Sequence, residues 1–388
     1  MQIFTDTNLD FLGKRMHAAV FSAALLVAGL IAIFSQGFNM GIDFKGGTEV
    51  ELKFLDNPDV PALRATMEAL GVGQVSLQQV GQPGDHTILI RVQEVETGTA
   101  NSAVSRRIVE ALYSPEEHAA LAAGRVNLNQ TGADDLGLLL AGCPEALVSA
   151  QAGRELGAEI AALRVQEQGV LASYDLLDGL PGMTPGARSC LEENTFLPGF
   201  AKWKDYFVGP KVGAELRSKA ILAIAVSLLF MLGYITWRFQ FEYGVGAVLA
   251  LFHDVLITTG LLVILGQEFT LTIVAALLTL AGYSINDTIV VFDRIRENIK
   301  VMRTAPFETV INKAINQTLS RTVLTAATTL MVVSSLYFFG GSELRGFSTT
   351  MLMGVVIGTY SSIFIASPAL LLWRKYSPRM RRRKTARA

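Results

Sequence analysis

Apolar runs at 18–34, 220–237, 243–265, 270–292, 323–339 and 347–373 punctuate the chain, and each is long enough to cross the hydrocarbon core of a bilayer as a helix. Between the first and second runs the texture changes. Over 46–55 the apolar Val50, Leu52 and Phe54 alternate with Glu49, Glu51 and Lys53, the period of a half-buried strand. Residues 58–70 carry Leu63, Met67 and Leu70 at helical spacing and stop at Gly71. Alternation returns over 74–80 and 86–92 on either side of a Gly/Pro turn at 81–85, 103–112 reads as a helix, and 203–208 as a last strand. The order β-α-β-β-α-β is that of a split-βαβ, ferredoxin-like sandwich.

Residues 114–196 do not fit that count. They are rich in Ala, Leu, Gly and Glu, include helical runs such as 144–168, and read as a mostly helical insertion, which loop-closure entropy tolerates because it grows only logarithmically with length. The predicted boundaries are a polar start at 1–15, a first membrane helix at 16–38, a water-facing domain at 39–212, five further membrane helices within 213–373, and a basic tail at 374–388. Uncleaved anchoring is expected at the N-terminus, because no clean small-residue cleavage site follows the first apolar run.

Composition agrees with a membrane class: 51% of residues are hydrophobic and 17% charged, with a mean hydropathy of +0.39. The net charge of −1 hides an asymmetry. With a cytoplasmic start, Arg238, the group from Arg294 to Arg321, and the tail from Arg374 to Arg387 all fall inside, whereas the opposite short loops hold only Arg345. The stretch 295–319 alternates basic and apolar residues and is expected at the cytoplasmic surface as one or two amphipathic helices. The cluster at 380–384 is a topology and lipid-headgroup anchor; nucleic-acid binding is excluded as its main role.

Candidate chemistry lies in the few polar residues inside the apolar runs. Asp287 interrupts the fourth run about 9 Å from its cytoplasmic end, at 1.5 Å per residue. A carboxylate there costs about 2.5–3.5 kcal/mol on insertion scales and cannot snorkel far, so it faces protein and has work to do; the bland alternative is a helix end. His253 and Asp254 sit mid-way through the third run, Ser284 and Asn286 beside Asp287, and Arg321 at the entrance of the fifth, followed by Thr322. Length alone allows an Asp287–Arg321 pair, which could be a proton switch or mere neutralisation. Asp287 and Arg321 are the leading candidates for a proton pathway, with Asp254 and Asn286 weaker ones. Gly354 and Gly358 form a GxxxG that supports close packing. Cys143 and Cys190 are too few for a disulfide framework; in an extracytoplasmic domain they can pair, and two buried free thiols are the alternative. No G-x-x-x-x-G-K-[ST] occurs, so no nucleotide site, cofactor or enzymatic activity is expected.

GIDFKGGTEVEL (41–52), VGPKVGAEL (208–216), FHDVLITTG (252–260), LTLAGYSINDTIVVFDRIREN (278–298) and LSRTVLT (319–325) together resemble the SecF-subunit family of the bacterial Sec protein-export machinery. The resemblance implies half of an RND-like membrane fold that pairs with SecD, assists the SecY-E-G channel and its accessory subunits, and acts on unfolded exported polypeptide. It implies a bacterial inner-membrane location, cytoplasmic termini, a periplasmic domain, and use of the proton-motive force, with Asp287 and Arg321 matching the family's carboxylate and basic residue. The insertion departs from the compact outer domain of the family. A proton-coupled exporter of small molecules and a non-transporting scaffold are the competing readings.

Overall fold

The computed structural model describes residues 7–80, 84–93, 101–146, 148–239 and 241–376. The turn expected at 81–85 falls partly, and the basic cluster at 380–384 wholly, outside them. The chain divides into two units, Met1–Gly41 with Glu215–Ala388, and Ile42–Ala214.

In chain order, helix α1 (Arg15–Gln36) and the single turn α2 (Ile42–Lys45) lead into strand β1 (Gly47–Phe54), helix α3 (Val60–Ala69), strands β2 (Gln74–Val80) and β3 (Thr87–Gln93), and helix α4 (Asn101–Glu110). The closing strand, β6 (Phe200–Val208), completes an antiparallel sheet of order β2-β3-β1-β6. This is the ferredoxin-like arrangement. Its core follows from the alternation in the sequence: Val50, Leu52, Ile88 and Ile90 are fully buried beneath Leu63 and Met67 of α3 and Val104 and Ile108 of α4. Asp59 caps α3 by accepting from the Ala62 N–H. The sheet begins at Gly46–Gly47, where φ is +79° and +144°. A Cβ on Gly47 would lie 2.4 Å from the Val92 carbonyl oxygen and one on Gly46 2.8 Å from Pro210 Cα, so only glycine fits at either place.

Between α4 and β6 the chain forms α5 (Pro115–Ala122), β4 (Val126–Asn127), α6 (Ala133–Gly142), α7 (Ala150–Gln166), α8 (Pro185–Asn194) and β5 (Thr195–Phe196), with β4 and β5 paired in parallel. The helical run expected over 144–168 is broken: Pro144–Ala146 is a 3₁₀ turn, and α7 starts only where Ser149 caps it through the Ala152 N–H. This segment has its own core of Leu136, Leu140, Leu156, Ile160, Leu177 and Leu191. Arg188 ties α8 to the preceding turn through Asp175 and Asp178, and with Ser173 it holds the exposed Asp175 carboxyl below its usual range. Cys143 and Cys190, which the sequence leaves open as a pair or as two thiols, are joined in a disulfide.

Phe196 pairs through its backbone with β4 of the insertion but packs its side chain in the sandwich core, where its ring stands 5.3 Å from that of Tyr113. The two ends of the insertion are therefore neighbours. Replacing 115–194 by a short Gly-Ser linker should leave a folded sandwich, observed as a protease-resistant domain with native-like far-ultraviolet dichroism; loss of that domain would show that the two cores fold only together.

The remaining helices are α9 (Pro210–Arg238), α10 (Phe241–Ile264), α11 (Leu271–Val301), α12 (Phe307–Phe339), α13 (Gly341–Ser361) and α14 (Ser367–Tyr376), the last two joined by a π turn at Ser362–Ala366. With α1, six helical segments among the described residues are long and apolar enough to cross a membrane. Tyr243, Phe292, Ala281, Ile311 and Ile363 anchor the core of this unit, whereas Leu229, Phe230 and Trp237 leave much of α9 apolar and exposed.

The amphipathic stretch at 295–319 does not form separate surface helices. It prolongs α11, of 31 residues, and α12, of 33, to about 46 and 50 Å, past the thickness of a hydrocarbon core. Ile295, Ile311 and Ile315 are buried in the same core, and Gln317 accepts from both Arg294 (2.8 Å) and Asn298 (2.9 Å). The apolar stripe finds a partner helix, so it has no need of a lipid surface. Asn312 and Asn316 at this end of α12 clamp the chain entering α1, each donating to the Leu9 carbonyl and accepting backbone N–H groups in return.

Candidate functional site

Helices that are apolar on most sides offer a buried charge few partners, and the bundle gathers its hydroxyl donors around two carboxylates. Asp287 of α11 is 6% exposed. Thr322 of α12 donates to its Oδ1 at 2.7 Å and Ser362, at the start of the π turn, donates to its Oδ2 at 2.6 Å. Asp254 of α10 is wholly buried. Its Oδ2 accepts from Ser284 of α11 at 2.5 Å and from Ser361 of α13 at 2.6 Å, while its Oδ1 lies 2.9 Å from His253 Nδ1. With Asp254 ionised, its carboxylate only accepts, and His253 then presents Nδ1–H to it. Its Nε2 is buried with no hydrogen-bond partner among the described residues, and its ring stacks on Tyr360.

Close approach of α13 to α11 makes these contacts feasible. A Cβ on Gly354 would lie 2.5 Å from the Leu280 side chain, and one on Gly358 3.2 Å from Ser284 Cβ. The GxxxG read from the sequence thus faces α11 and lets Ser361 and Ser362 reach across. Pro368 accounts for the π turn before it: proline has no N–H to donate and its ring crowds the carbonyl four residues back, so the helix widens; Ser367 Oγ donates to the Ser362 carbonyl at 3.0 Å.

The two carboxylates are differently served. Asp254 has three donors, one on an imidazole, whereas Asp287 has two neutral hydroxyls. The ion pair that length allows between Asp287 and Arg321 is not made. Thr322, the next residue, takes the inward position on α12, and successive residues on a helix point about 100° apart, so Arg321 is turned to the exposed side. Its charge stays within electrostatic range of Asp287 without contact. Asn286 is likewise exposed and touches neither carboxylate. Sequence reading missed Ser361 and Ser362. Two adjacent serines in the last membrane run, the second six residues before a proline, were the available signal.

Fold and site define a multi-pass membrane protein of six spans that carries a ferredoxin-like domain between the first two and buries two hydrogen-bonded carboxylates in its bundle. The family model for "Protein export membrane protein SecD/SecF, C-terminal" matches residues 191–376, and that for the "SecD/SecF GG Motif" matches 31–54, which includes the strained Gly46–Gly47 step. The protein translocase subunit SecF of Koribacter versatilis is 41% identical over 97% of this chain and 94% of its own length, and that of Rhodothermus marinus 36% identical over the full length of both. Among solved structures, SecDF of Thermus thermophilus, titled a translocon-associated membrane protein, superimposes with a TM-score of 0.64 at 31% identity over 95% of this chain and 39% of that longer one. The chain belongs to the SecD/SecF family of protein translocase subunits, on its SecF side.

Proposed function

We propose that this chain works as a SecF-type subunit that, with SecD, uses the proton-motive force to promote translocation of unfolded polypeptide through the SecY channel and its release on the outer side. Asp287 is the proton-carrying group. The observation that carries this reading is its burial in the middle of a bundle with only hydroxyl donors as partners, where a charge without an ion pair is expensive and gaining a proton relieves the cost. Arg321, near but not touching, supplies a positive charge whose influence changes as Asp287 is charged or neutral. In the orientation that the basic residues favour, both termini face the cytoplasm, the sheet domain lies in the periplasm and the subunit sits in the inner membrane. The sheet domain meets its varied substrate through backbone pairing at a strand edge or a shallow apolar surface, since no one side chain can be recognised.

A depletion strain separates this reading from a small-molecule exporter sharing the architecture. Restoring the chain should restore accumulation of secreted proteins while leaving resistance to small toxic compounds unchanged. Restored resistance with no change in export would overturn it.

A further inference from the structure

We propose that Ser361 and Ser362 are positioning residues that join Asp287 and the His253–Asp254 pair into one coupled unit, with the last span as the element that responds. The inference rests on the reading of Asp287 as a proton carrier and goes beyond it by assigning a second buried site and its link to the first.

Geometry carries the argument. Neighbouring residues on one turn each hold a carboxylate from a different helix at 2.6 Å: Ser361 holds Asp254 of α10, and Ser362 holds Asp287 of α11. A third hydroxyl, Ser284, sits three residues before Asp287 on α11 and reaches back to Asp254 at 2.5 Å. The two carboxylates share no donor, but they are joined through the backbone: Ser361 and Ser362 are consecutive residues, and Ser284 stands about one turn from Asp287 on α11. Each serine also has a second acceptor in its own helix, the Gly358 carbonyl for Ser361 at 3.1 Å and the Thr359 carbonyl for Ser362 at 3.0 Å. A hydroxyl has one proton to give, so the two acceptors are alternatives. With Asp287 ionised, Ser362 donates to it. When Asp287 takes up a proton, its O–H becomes the donor, the Ser362 oxygen accepts, and the serine proton turns to the Thr359 carbonyl. The carboxyl gains one proton, no other covalent bond is made or broken, and Asp287 and Ser362 each keep a hydrogen-bond partner in both states.

The backbone at this point can yield. Ser362 opens the π turn that ends at Ala366, where the regular i→i−4 ladder is already interrupted ahead of Pro368. Asp254, with three donors and no exposure, is the fixed end of the unit, and Asp287 with two is the exchanging end. The titratable and charged groups facing the unit are His253 beside Asp254, Tyr360 stacked on that imidazole, and Tyr283 and Arg321 within electrostatic range of Asp287.

The test uses the whole translocase in native membranes. Infrared difference spectra recorded over a pH series follow the carboxyl C=O stretch that disappears in Asp287→Asn, in parallel with gradient-driven export. Ser362→Ala should raise the midpoint of that band by about one pH unit, the equivalent of one lost hydrogen bond to a charged acceptor. Ser361→Ala, which touches only Asp254, should move the same Asp287 midpoint by about 0.4 unit or more, and the double variant should differ from the sum of the two. Ser361→Thr and Ser362→Thr keep the hydroxyl and should keep the parent midpoint. Should an alanine variant fail to accumulate, Ser361→Cys, a near-isosteric weak donor, carries the same expectation. An unmoved midpoint in the Ser361 variants, or simple additivity in the double, would make the carboxylates independent and overturn the coupling. Persistence of normal export in Asp287→Asn would instead remove the proton reading itself, so the two failures are distinct.

Discussion

Asp287→Asn should accumulate in the membrane at the parental level, assemble with SecD, and give export no faster under a proton gradient than in a strain lacking the chain. Asparagine keeps the shape and an acceptor for Thr322, and its amide N–H meets Ser362, which can turn its own proton to the Thr359 carbonyl. The structural cost is that of one rearranged buried hydrogen bond, about 1 kcal/mol. On the proposed proton-carrying role the functional cost should be total, because an amide does not titrate. Arg321→Lys keeps the charge on a shorter reach and should be intermediate. Asp254→Asn should weaken export and displace its pH dependence without abolishing it. Pulse-chase export of a secreted protein, with and without collapse of the gradient and in sodium-free medium at controlled pH, measures all three. If Asp254→Asn alone abolished export while Asp287→Asn exported normally, the proton route would run through α10.

Removing the disulfide should be the largest change in stability. Cys143 and Cys190 stand 47 residues apart and close a loop whose constraint on the unfolded chain is worth about 4 kcal/mol in the chain-entropy model. Cys190 is 3% exposed and lies in the core of the insertion with Leu140, Leu191 and Ala187. Cys143→Ser with Cys190→Ser should therefore lower the melting of the insertion, while the sandwich, whose core is a different set of residues, unfolds as before. A thiol reagent applied to the denatured, non-reduced parent should label neither cysteine. Full labelling of both would show that this core holds without a bridge.

Much of the architecture was legible in the sequence because it follows from local periodicity. Apolar runs set the six spans, since each must bury its own backbone within one helix. Alternation at β1, β2 and β3 and the helical spacing of α3 set the sandwich. Misreadings came where a local pattern had two outcomes. An amphipathic stretch can lie on lipid or pack on a partner helix, and at 295–319 the partner is the other half of the same hairpin. A long helical composition can break at one capping serine, as at Ser149.

The sequence by itself placed Asp254 and Asp287 inside apolar runs, where a carboxylate is costly and is expected to face protein, and the structure buries both. Only the tertiary structure decided what surrounds them. A serine or threonine in a helix can always satisfy itself on a carbonyl one turn back, as Thr328 and Thr349 do, so its presence says nothing about what it touches. Which face of α13 meets α11, set by Gly354 and Gly358 and by the widened turn before Pro368, is what turns Ser361 and Ser362 onto two carboxylates and leaves Arg321 and Asn286 facing away. That choice depends on helix packing between residues 70 to 110 positions apart, and no local pattern encodes it.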